Sequence, residues 1–189
     1  GANALLFLFI TNWIQINTNY FYYITDKLTM IQAITETDLK IYVQTEDNRI
    51  NTSVASTQIR HLVKFTNDLD KSVYYAYGNT ELIKDRYTNI NISYATTPNI
   101  YTGFVKLFPA GYYKYEIYEV SWIGTVTVSS GNAPATEDDV LSPSANDKGI
   151  VQGLVTKGKM NLSEKDGTQQ VRYTQREAPT ETNYIYYGQ

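Results

Sequence analysis

Apolar positions recur at every second residue along most of the chain, the period of a strand with one face buried. Leu39, Ile41 and Val43 alternate with polar residues and predict a first strand. Ile59, His61, Val63 and Phe65 predict a second, with Leu62 facing the other way. The turn formers of 66–71 then lead into Val73–Tyr77, a third. This pair reads as a hairpin, or as a crossing between sheets. Tyr87–Tyr94 alternates through Ile90 and Ile92 as a fourth strand, and residues 101–108 make a fifth. In the sixth, Tyr113, Tyr115 and Ile117 face one way, and Tyr112, Lys114, Glu116 and Tyr118 the other. Residues 125–128 predict a short strand and 149–162 the last one. Only 81–87 has helical character, for one or two turns. Short strands at ~10-residue spacing predict an all-β antiparallel sandwich.

The stretch from Leu107 to Trp122 organises the rest. Pro109 fixes its own φ, and Gly111 can supply the positive φ of a tight corner before the longest alternating run begins. The spacing of Leu107, Pro109, Gly111 and Tyr113 resembles the tyrosine corner of immunoglobulin-like and fibronectin-type sandwiches. The resemblance implies that Tyr113 bonds back to the backbone upstream, and that its strand is central to an immunoglobulin/fibronectin-like sandwich.

The pattern divides the chain into a sandwich over 31–165 and two extensions. Residues 1–30 form the first, and its first charge is Asp26. Its longest apolar run, residues 4–10, falls far short of the ~18–20 residues that span a bilayer, so a membrane segment is disfavoured. No basic stretch precedes that run, as a secretory signal requires. Three readings of this end stay open: an artefactual upstream extension with the start at Met30, a β-rich arm packed on a neighbouring subunit, and a membrane or export segment. The sandwich carries a loop insertion at about 129–148, rich in Ser, Gly, Pro and Asp. The tail, 166–189, is strand-like at Val171-Arg172-Tyr173 and at Tyr184-Ile185-Tyr186-Tyr187.

Composition narrows the function classes. At 189 residues the chain can bury one core plus extensions. A net charge of −3 argues against a sequence-independent nucleic-acid binder, which needs a basic surface. The absence of cysteine removes disulfides, thiolate nucleophiles and Cys-based zinc sites. Tyrosine, at 18 residues, outnumbers Phe and Trp together, which suits a semi-polar contact surface as well as strands.

Candidate chemistry is sparse. Residues 153–160 approach a phosphate-binding loop, but Met160 stands where a Ser or Thr must hold magnesium, and the flanks read as strand. His61 is the only histidine and has no marked Ser or acid partner. Glu137, Asp138, Asp139 and Asp147 supply oxygen ligands of the type calcium takes, but at no EF-hand spacing; a solvated acidic loop is the plainer reading. Glu116 and Glu119 fall on opposite faces of one strand, the wrong arrangement for a paired-carboxylate hydrolase. No catalytic set, cofactor site or metal site is read. Exposed aromatics remain: Tyr112 and Tyr118 opposite the core face, with Tyr74 joining them across the sheet.

From about residue 38 onward the chain resembles short β-rich virion proteins of tailed bacteriophages. The carrying residues are Val63-Lys64-Phe65-Thr66-Asn67-Asp68 with Val73-Tyr74-Tyr75, then Leu107-Phe108-Pro109-Ala110-Gly111 with Tyr113, Tyr115, Ile117, Tyr118 and Glu119. Gly158-Lys159-Met160 and the closing Thr182-Asn183-Tyr184-Ile185-Tyr186-Tyr187-Gly188-Gln189 add to them. The resemblance implies a non-enzymatic virion component (capsid decoration, head fibre or neck) working through immunoglobulin-like domains and swapped arms. Its partners would be other virion proteins or copies of itself. Tyr112, Tyr118, Tyr74, Tyr184, Tyr186 and Tyr187 then form the expected interaction surface. The alternative is a carbohydrate-binding or host-surface adhesion module that stacks exposed tyrosines on sugar rings. A hydrolase would require a pocket grouping His61 with carboxylates.

Overall fold

The computed structural model describes residues 30–141 and 147–166. Its strands are β1 (Ile31–Ile34), β2 (Leu39–Val43), β3 (Ile59–Asn67), β4 (Val73–Tyr77), β5 (Thr80–Lys84), β6 (Tyr87–Tyr94), β7 (Phe104–Val105), β8 (Gly111–Ser121) and β9 (Ile150–Ser163). They build two packed sheets, ordered β1-β9-β8-β3-β4 and β2-β6-β5, with β7 beside the end of β6. Pairing is antiparallel except for β1 with β9 and β7 with β6. The fold is an all-β sandwich, and β8 is the middle strand of the larger sheet.

Strand alternation builds the core. Ile41, Ile90 and Ile92 of the smaller sheet meet Val63, Phe65, Ala76, Tyr113, Ile117 and Met160 of the larger one, all fully or almost fully buried. The corner before β8 forms as its residues predict. Gly111 takes φ +141°, and the Tyr113 hydroxyl donates to the Pro109 carbonyl at 2.6 Å. β3 and β4 form a hairpin within one sheet, so the chain makes no crossing there. The register of β9 against β8 shifts twice, bulging at Val155 and at Gln152.

Four local expectations are corrected. Residues 81–87 hold no helix: β5 runs to Lys84, a turn takes 85–86, and β6 begins at Tyr87. Residues 101–108 give only a 3-10 turn, Ile100–Thr102, and the two-residue β7. Residues 125–128 form no strand, and β1 was not anticipated. Residues 126–139 run over the outer face of the larger sheet. There Val126, Val128 and Ala133 join a second apolar cluster with Leu62, Tyr77, Val120 and Trp122. This cover is why Leu62 and Val120, which point away from the main core, are apolar.

The expected N-terminal arm and the strand-like tail lie almost wholly outside the described residues. Among the described residues, no helix is long and apolar enough to cross a membrane.

Candidate functional site

Polar side chains gather at one end of the inter-sheet space. His61 on β3 lies opposite Glu119 on β8 in the strand register. Glu81 reaches inward from β5, and its Oε1 pairs with His61 Nδ1 while its Oε2 accepts the His61 backbone N–H at 3.2 Å. The two side chains are only 3% and 2% exposed. Glu119 accepts the backbone N–H groups of Ile50 and Asn51 at 2.9 and 2.8 Å. The fold therefore does bring His61 together with two carboxylates. Each carboxylate is already engaged in tying strands and loops together, and the trio lies between the sheets. Sequence reasoning misses Glu81 because Leu82 and Ile83 are adjacent and the inward position before them is polar, so β5 shows no alternation.

The acidic stretch of the insertion serves as a fastening. Lys64 and Tyr75, on the outer face of the larger sheet, both grip Glu137: Lys64 Nζ pairs with Oε1, and the Tyr75 hydroxyl donates to Oε2 at 2.5 Å. Burial pushes the Glu137 carboxyl up, but the bonds from Lys64 and Tyr75 outweigh it and hold the group below the usual range. The bond to Glu137 raises Lys64, while burial and then Glu137 push Tyr75 up to about 12. The Tyr77 hydroxyl donates to the Pro134 carbonyl at 2.8 Å. Asp139 accepts the backbone N–H groups of Ala135 and Thr136 at 2.8 and 3.2 Å, closing a local turn. Among the described residues, no group of three or more His, Asp or Glu side chains is placed to hold a metal ion.

The tyrosines expected in one row separate. Tyr112 stands on the outer face of β8, 58% exposed. Tyr118 shares that face but is half-buried against the second apolar cluster. Tyr74 is on the opposite face, because it pairs with Phe65 in the register; it packs against the main core and donates its hydroxyl to the Phe108 carbonyl. Tyr184, Tyr186 and Tyr187 lie outside the described residues.

Large exposed apolar side chains are spread over the sandwich: Ile123 and Ile150 lie toward the end where β9 begins, Tyr42, Leu82 and Tyr87 on the smaller sheet, and a further five toward the end where β8 begins and β9 finishes. Ile34, Leu69, Val73, Phe108 and Tyr112 are exposed there, Phe108 to 67%. A cleft of about 230 Å³ opens at this end, walled by Tyr94, Leu107 and Phe108 and rimmed by Lys106 and Lys165. A second aromatic feature, missed in the sequence, is Tyr42 against Tyr87 with centroids 6.0 Å apart on the outside of the smaller sheet. The alternation of β2 signals it, since Tyr42 falls in phase with Lys40.

No family model, curated protein or solved structure matches the chain.

Proposed function

We propose that the protein is a non-enzymatic, immunoglobulin-like sandwich that works by protein–protein contact as a structural component of a phage virion. The observation that carries the contact reading is the set of large exposed apolar side chains, with Ile34, Leu69, Val73, Phe108 and Tyr112 toward one end of the sandwich. The strand order and the Tyr113 bond support the immunoglobulin-like class. The resemblance of residues 63–75 and 107–119 to phage virion proteins supports the setting. The partners are copies of this chain or neighbouring virion proteins, and the reading calls for no cofactor.

Light scattering on the full chain tests it, beside Phe108→Ser, Tyr112→Ser, and chains beginning at Met30 or ending before Gln175. A closed oligomer that loosens in these variants is the expected result. A monomer in every case overturns self-association and leaves only a foreign partner. The exposed tyrosines favour one second reading, glycan binding through ring stacking. It predicts sugar-dependent retention on a glycan surface that Tyr112→Ala abolishes.

A further inference from the structure

We infer that the cleft between Tyr94, Leu107 and Phe108 is the seat of the chain's own closing aromatic run, Tyr184-Ile185-Tyr186-Tyr187. β9 ends at Ser163, and the next three residues, Glu164, Lys165 and Asp166, all line the cleft. The described chain therefore stops at the cleft, at Asp166. Eighteen positions separate Asp166 from Tyr184 (184 − 166). A chain of that length averages roughly 25 Å end to end, so its return to the cleft needs no extension. The chemistry matches as well. Tyrosine joins a flat apolar body to a hydroxyl that both donates and accepts. The cleft offers an apolar wall, with Lys106, Lys165 and Glu36 placed at its edge for such hydroxyls. Along the same side, β1 has its outer edge free of any strand among the described residues, which leaves main-chain groups for an extended segment to pair with.

The consequence for assembly rests on the contact reading above. Closed within one molecule, the run caps its own cleft. Exchanged between two molecules, the same contact links copies.

The chain's lack of cysteine makes the test direct. Ala110→Cys, in the cleft wall, is combined with Gly188→Cys in the full chain. A second chain combines Lys40→Cys, on the outside of β2, with Gly188→Cys. Oxidation should close the Ala110/Gly188 pair about tenfold faster than the Lys40/Gly188 pair, since docking raises the effective concentration. Phe108→Ser, at an exposed position, should remove that advantage without unfolding the protein. Equal rates for the two pairs overturn the inference. Mass on a non-reducing gel shows whether the bridge lies within one chain or between two. Equal rates in a protein that still forms oligomers sink the cleft assignment and spare the contact reading. A fast bridge within a monomer spares the cleft and removes the tail from any contact between copies.

Discussion

Burying a carboxylate between two sheets costs several kcal/mol unless its oxygens find donors. Glu81 meets both of its needs from one residue, using the His61 ring and the His61 backbone N–H. Glu81→Ala leaves the imidazole without its partner and should destabilise the fold by about 3 kcal/mol, read from the urea midpoint. His61→Ala should cost a similar amount. The double variant should cost well below the sum of the two, because each single change already breaks the shared contact. Strict additivity would show that the pair does not act as a unit. Tyr113 makes a smaller contribution of a different kind. Tyr113→Phe keeps the buried ring and removes only the bond to the Pro109 carbonyl, so a loss of about 1 kcal/mol is expected.

The insertion behaves as an element in its own right, clamped at Glu137 and seated on Trp122. Because the folded Glu137 carboxyl lies below its ordinary range, its contribution is complete above that range and is lost as pH falls through the depressed value. Glu137→Gln should weaken the clamp by roughly 2 kcal/mol and flatten this acid dependence. Amide hydrogen exchange across 125–139 reads both effects, while β3 and β8 should stay protected. Gly149 sets the other end of the clamp. A Cβ there would lie 2.6 Å from the Trp122 ring, so Gly149→Ala must displace the indole or the strand entry, at about 1–3 kcal/mol. A shift in indole fluorescence would report it. Elements of this kind mark the limit of what the sequence discloses. β6 and β8 were legible because one face is buried and the period of two is clean, and the Tyr113 corner because turn chemistry and spacing coincide. β5 has the look of a helix because its inward residue is Glu81, a polar side chain in a core position. Val126 and Val128 suggested a strand, whereas they bury against the back of a sheet and need no ladder to do so. The separation of Tyr74 from Tyr112 depends on hairpin register, which no local pattern around either residue records.

At the scale of the whole molecule, tyrosine is the residue through which pH acts above neutrality. Burial, the largest cause in each case, raises the hydroxyls of Tyr75, Tyr77, Tyr113, Tyr115 and Tyr118, and takes Tyr75 and Tyr113 to about 12. These rings belong to both apolar clusters, and β3 and β8 contribute side chains to each cluster. A folded value above the unfolded one, near 10, favours the native state while the hydroxyl keeps its proton. The contribution is therefore complete below pH 10 and drains away as pH rises towards 12. Once a few buried tyrosines must ionise, the two clusters lose stability together through the strands they share. Ultraviolet titration, read beside circular dichroism, tests this. Tyr75, Tyr77, Tyr113, Tyr115 and Tyr118 should ionise in one steep step, coincident with loss of the β signal in circular dichroism. Tyr113→Phe should remove one group from that steep step. A smooth titration of these five tyrosines near pH 10, with the β signal intact, would mean that the two clusters are open to solvent and do not form a single cooperative interior.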